Sequence, residues 1–191
     1  PGWFWHEGEN DKVRSLDELV GIYINSVGGN ATFLLNIPPT RSGLFHENDV
    51  KRLNELGDFI RSAFCENLLE KANLSSNGRN AEAMRMDNYD DSFITEKGRN
   101  TAVISAQWNK PVAIDYIVLK ENITLGQRVE SFTVEAELNG VFSEIYRGTV
   151  IGYKRIVPMK NITTDKIRIN ITDSRTEPTL AFMGIYKSKK D

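Results

Sequence analysis

Apolar residues in the first third of the chain follow two different rhythms. Leu16, Leu19, Val20, Tyr23 and Val27 fall three and four apart, which predicts an amphipathic helix with one apolar stripe. Ser15 opens it, and Glu18, three residues later, can reach back to the Ser15 amide to complete a capping box. Gly28-Gly29 ends it as glycines do after a last helical turn. A second helix is predicted over 48–65, with Val50, Leu53, Leu56, Ile60 and Phe64 along one side. The run Thr32–Ile37 is apolar without alternation, the pattern of a strand covered on both faces of a parallel sheet, and Pro38-Pro39 closes it. Gly2-Trp3-Phe4-Trp5 is a short aromatic run fit for another strand. Strand, helix, strand, helix reads as two βα units. Such units need neighbouring strands along both edges, and these are expected to lie upstream of Pro1, where a chain that does not open on Met is expected to be truncated.

The pattern changes near residue 70. Runs 101–107, 112–120, 131–138, 142–147, 154–157, 166–172 and 179–187 are rich in β-branched or aromatic residues and have strand length. Turn signals separate several of them: Asn109-Lys110-Pro111, Asn139-Gly140 and Glu177-Pro178. Ile167, Ile169 and Ile171 alternate with Arg168, Asn170 and Thr172, as in a strand with one wet face. Short strands at this spacing predict an antiparallel β-sandwich. Two parts follow, an α/β part over 1–69 and an all-β part over 72–191.

Composition narrows the chemistry. With 24 basic and 26 acidic residues the net charge is −2, so no electrostatic footprint for nucleic acid is present. Cys65 is the only cysteine, which excludes a disulfide scaffold and a cysteine-built zinc site. His6 and His46 are too few for a histidine metal cluster. The apolar runs are too short to span a bilayer. Asn30, Asn73, Asn122, Asn161 and Asn170 head Asn-x-Ser/Thr triplets, read as chance occurrences because Asn30 and Asn170 border or sit within predicted strands.

The segment Pro1-Gly2-Trp3-Phe4-Trp5-His6 resembles the tryptophan-bearing strand of the glycoside hydrolase family 29 α-L-fucosidases. The likeness continues through 12–19 and 22–28 and is strongest at Leu34-Leu35-Asn36-Ile37-Pro38-Pro39, followed by Arg41-Ser42-Gly43-Leu44, Asp49 and Leu53. The later part resembles the discoidin, or coagulation-factor C-type, domain that follows the barrel in many of these enzymes, at 73–76, 87–93, 117–123, 126–132 and 149–156. The resemblance implies the last two βα units of a (β/α)8-type barrel and, after them, a discoidin or galactose-binding-like jelly roll. It implies part of an exo-acting retaining enzyme that removes terminal α-L-fucose from glycans, in a periplasmic or secreted setting. A non-catalytic carbohydrate-binding or adhesion module is the alternative that the β-part alone would allow.

Retaining hydrolysis uses an Asp nucleophile and a second carboxyl group as acid and base. By the resemblance the nucleophile and the Glu acid/base both precede Pro1, and no residue of this chain takes either role. Glu7, Glu9 and Asp11 read as a solvated acidic loop. Trp3, Phe4, Trp5 and His6 are the candidate substrate-binding residues, because indole and phenyl faces suit the C–H faces and methyl group of a 6-deoxy sugar. The Trp3 end is assigned to the fucose pocket and the Trp5–His6 end to the mouth. Asn36, polar in an apolar strand, needs a hydrogen-bond partner and is assigned to support of the site. His46 reads as a cap and Cys65 as a small helix-face hydrophobe. On the β-part, Trp108 and Tyr153 are candidate glycan contacts, while Asp87, Asp91 and Ser92 resemble a calcium loop. The acidic ligand expected near the final strand is missing, since Thr179-Leu180-Ala181-Phe182 occupies that stretch, and no cofactor is otherwise implied. The expected partners are a fucosylated glycan and the remainder of the barrel.

Overall fold

A computed structural model describes residues 2–188, Lys160 by its backbone alone. The first helix, α1 (Leu16–Ser26), starts as its sequence requires: the Ser15 hydroxyl accepts from the Glu18 amide at 3.2 Å, and the Glu18 carboxylate accepts from the Ser15 amide at 2.8 Å. The second, α2 (Glu47–Ala63), is capped by His46, whose Nδ1 accepts from the Asn48 amide at 3.2 Å. Leu19 of α1 and Leu56 of α2 are the buried members of the two stripes.

The two strands expected before residue 70 are corrected. Among the described residues no strand forms ahead of Asn73; the chain bends at Trp3–Phe4, and 32–37 joins no ladder. Nor is the second run covered on both faces. Phe33, Leu35 and Ile37 are half-buried, whereas Thr32, Leu34 and Asn36 are exposed, Leu34 to 90 %. A strand exists by backbone hydrogen bonding to a neighbour, and among the described residues none forms a ladder with these runs.

From Asn73 onward the fold is antiparallel β: β1 (Asn73–Ser76), β2 (Phe93–Ile94), β3 (Ala102–Lys120), β4 (Val129–Leu138), β5 (Val141–Gly148), β6 (Arg155–Ser174), β7 (Thr179–Leu180) and β8 (Phe182–Tyr186). The main sheet runs β1-β3-β6-β4-β5 with β8 on β3, and β2 pairs with β7 in a separate ribbon. The runs 101–107 and 112–120 are one strand, not two. Asn109-Lys110-Pro111 fills a register shift between Gln107 and Val112, where the missing proline N–H costs no ladder bond. The runs 154–157 and 166–172 likewise merge into β6, whose pairing shifts near Asn161, a residue with φ of 52°. Asn139 and Gly140, at φ of 54° and 80°, form the tight turn that pairs Leu138 with Val141. Ile167, Ile169 and Ile171 point into a core shared with Ile104, Ile117, Leu119, Phe132 and Val134, and the residues between them stay half-buried or exposed.

The helices dock on one end of this β-part. The Ile156 amide donates to the Gly28 carbonyl at 3.0 Å, and the Asn30 side chain donates to the Ile151 carbonyl and accepts from the Lys154 amide, each at 2.9 Å. Behind this seam Phe64 touches Tyr23, Tyr116 and Tyr186 with ring centroids 6.4, 5.3 and 5.3 Å away. Ile24, Val118 and Ile156 complete this second apolar cluster. Ring pairs of this geometry add about 0.5–1.5 kcal/mol each beyond their buried area.

Candidate functional site: a cleft between the aromatic segment and the helices

The loop after the aromatic run folds back as a short 3-10 turn, Glu7–Glu9, and ends on Asn10. Asn10 then serves two neighbours. Its side-chain oxygen accepts from the Trp5 indole N–H at 2.9 Å, and its carbonyl accepts from Asn48 at 2.9 Å, so the first turn of α2 anchors the loop that orients Trp5. Asn48 also donates to Asp11 at 3.3 Å. Asn36 donates to the Trp3 carbonyl at 3.3 Å and so ties the 32–37 segment to the aromatic one.

These ties frame a cleft of about 130 Å³. Phe4, Trp5 and His6 line it from one side, Leu35, Asn36 and Ile37 from another, and Asp49, Arg52 and Leu53 of α2 from below, with Glu9 and Asn10 at the rim. Its lining combines flat rings with a few charged and amide groups, the composition of a small-ligand site. Phe4, Trp5, His6 and Asn36 therefore meet at one place. Trp3 does not line the cleft; its side chain is 79 % exposed. Pro1 lies outside the described residues. Asn10 and Arg52 are members that the sequence reading passed over. Asn10 sits in a polar loop with no periodicity, and Arg52 looks like any charged residue on an amphipathic helix. Arg52 reaches Glu55 at 3.2 Å on its own helix.

Two expectations for the β-part are corrected. Trp108 is no surface contact: it is 5 % exposed within the core, and its indole N–H donates to the Leu68 carbonyl at 2.9 Å. A large ring with one donor is best placed where the ring is dry and the donor paired. Asp87, Asp91 and Ser92 do not converge on a cation either. Asp87 pairs with Lys120 at 2.5 Å, Asp91 accepts from Asn80 at 2.9 Å, and the Ser92 hydroxyl accepts from Asn122 at 3.2 Å. Two carboxylates and a hydroxyl that each serve a different protein donor do not make the shared oxygen cage calcium needs. Tyr153 is on the surface, 55 % exposed.

Comparison with known proteins gives the arrangement its relatives. The α-L-fucosidase family model matches residues 1–63. α-L-Fucosidase 1 of Arabidopsis thaliana is 32 % identical across 99 % of the chain, which spans 39 % of that protein. A family 29 fucosidase of Ruminococcus gnavus, solved in complex with fucose, superposes with a TM-score of 0.89 at 29 % identity, over 99 % of this chain and 40 % of its own. A chitosan-binding module from Paenibacillus aligns with 65 % of the chain at a TM-score of 0.56 and 12 % identity, a likeness of fold alone. The chain thus spans about two-fifths of the fucosidases it matches, and corresponds to the C-terminal portion of the glycoside hydrolase family 29 α-L-fucosidases.

Proposed function

We propose that this chain is the C-terminal part of an exo-acting, retaining α-L-fucosidase. In this reading residues 1–69 are the last two βα units of a (β/α)8-type barrel, and 72–191 form a discoidin-like β-sandwich. The observation that carries it is the bare edge beside the cleft. Trp3 and Phe4 are each 79 % exposed and Leu34 is 90 % exposed, on segments held together by the Asn36–Trp3 bond and backed by two capped helices. An apolar edge of this kind asks for strands on either side, and the other three-fifths of an enzyme of the relatives' length would supply them. With neighbours present, 2–5 and 32–37 would become barrel strands and the cleft one wall of a closed sugar pocket.

The aromatic segment would then meet the C–H faces and methyl group of fucose, while Asn10 and Asn48 hold Trp5 at its angle. The nucleophile Asp and the Glu acid/base would come from the rest of the enzyme, with carboxyl groups about 5–5.5 Å apart as retention requires. A glycan substrate also goes with a periplasmic or secreted location. The competing reading, a free-standing sugar-binding module, leaves the helices and the cleft without a task.

The test is hydrolysis of an aryl α-L-fucoside by the complete enzyme and by the 191-residue chain. The complete enzyme is expected to turn over with retention at the anomeric carbon, and the chain alone to show no turnover. Trp5→Ala in the complete enzyme is expected to lower kcat/KM by roughly 1–3 kcal/mol of lost anchoring. Turnover by the chain alone, or an inert complete enzyme, would overturn the proposal.

A further inference from the structure

The end of the β-part where α1 docks carries a second group of rings and charges, away from the cleft. Tyr153 stands on the turn before β6 with 55 % of its surface open. Lys120, the last residue of β3, holds its ammonium 5.7 Å from the centroid of the Tyr153 ring and 5.7 Å from that of Phe182, and pairs with Asp87. Lys154 lies 5.8 Å over the Tyr23 ring, with its Nζ 3.5 Å from the Tyr23 hydroxyl. The Tyr89 hydroxyl is buried with no hydrogen-bond partner, in a loop that Asn122 holds at the Tyr89 carbonyl.

Two features make this more than a chance grouping. The first is charge: Lys120 and Lys154 gather near the Asp87 carboxylate, while the Glu121 carboxylate beneath the turn is taken up by three backbone amides. Burial, and next the nearby Lys120, pull the Lys154 pKa below its ordinary value, so an added anion there would be stabilising. The second is rigidity. The backbone around Tyr153 is pinned from both sides: the Gly152 amide donates to buried Glu121 at 2.6 Å, the Glu121 amide donates to the Gly152 carbonyl at 2.9 Å, and Asn30 accepts from the Lys154 amide. A ligand that lands here orders little that is not already ordered.

We propose that this end of the β-part binds a carboxylate-bearing sugar residue of the hexuronate type, its ring stacked on Tyr153 and its carboxylate set against Lys154. Asp87 accepts from a ring hydroxyl. A flat exposed ring beside matched donors and acceptors suits a face of C–H groups edged with hydroxyls, and the unbalanced ammonium selects the acid over its neutral counterpart. The choice of a sugar rests on the glycan-directed reading proposed above; the preference for an acid rests on the charges alone.

The experiment is titration of the complete enzyme with methyl β-D-glucuronide, methyl β-D-glucoside and acetate, followed by calorimetry or NMR. Glucuronide is expected to saturate a site roughly tenfold tighter than glucoside, as one charge-assisted contact implies. Tyr153→Ala should weaken glucuronide about tenfold, and Lys154→Gln should erase the margin over glucoside, with fucoside hydrolysis unchanged in both variants. Equal binding of glucoside, acetate as tight as glucuronide, or no saturation by any of the three would each overturn the proposal. Failure of the fucosidase reading would show separately, as an unaltered enzyme that does not hydrolyse the fucoside.

Discussion

At the scale of single residues, buried Glu121 holds more backbone than any other acidic side chain described here. One of its oxygens accepts from the Arg128 and Val129 amides at 2.7 and 2.9 Å, the other from Gly152 at 2.6 Å. Glu121→Ala strands three amides, and each unsatisfied buried group costs about 1–3 kcal/mol. A loss of roughly 3 kcal/mol or more is expected in urea unfolding; a loss under about 1 kcal/mol would mean water replaces the carboxylate. Glu177 gives a pH signature instead. The Thr176 hydroxyl at 2.5 Å and then the Gly98 amide at 2.7 Å hold its pKa down to about 2. A depressed carboxylate pKa contributes stability that is present above its ordinary value of 4.5 and is lost as pH falls toward 2. Glu177→Gln should therefore flatten the stability profile between pH 4.5 and 2, measured by thermal unfolding at stepped pH, and leave neutral behaviour less changed than Glu121→Ala does.

At the scale of elements, the joint between α1 and β6 is a tight fit. A Cβ on Gly28 would stand 2.3 Å from the Ile24 carbonyl oxygen and 2.6 Å from the Ile156 Cβ. Neither neighbour has room to yield, since Ile24 is helix backbone and Ile156 is buried in the seam. Gly28→Ala is expected to cost about 1–3 kcal/mol by overpacking and, in the complete enzyme, to loosen the Asn30 ties to the Tyr153 turn, which amide exchange at Lys154 would report. Slow, unchanged exchange would show that the seam adapts. Local signals for elements were strong wherever the chain itself supplied both partners. The Ser15–Glu18 box, the glycine stop and the Asn139-Gly140 turn are all bonds between residues at most five apart in sequence, and each stands where the pattern placed it. Asn109-Lys110-Pro111 misled for a related reason: a turn signal and a bulge in a long strand use the same residues.

At the scale of the whole molecule, the exposed Trp3, Phe4 and Leu34 predict that the isolated chain self-associates. Light scattering should show mass rising with concentration, and Leu34→Asp should suppress it; a monomer at all concentrations would mean the edge is covered from within. Among the described residues no helix is long and apolar enough to cross a membrane. By itself the sequence determined what depends on near neighbours and on alternation: the caps, the two amphipathic stripes, the isoleucine face of β6 and the motifs that carry the family likeness. Only the tertiary structure decided which apolar residues found partners. Trp108 went to the core, Leu34 stayed bare, 32–37 joined no ladder among the described residues, and Lys120, Tyr153 and Lys154 came together beside Asn30. The reason is that a strand ladder, a buried ring or a charge cluster is a relation between remote segments, and no single stretch of chain carries the distance that makes it.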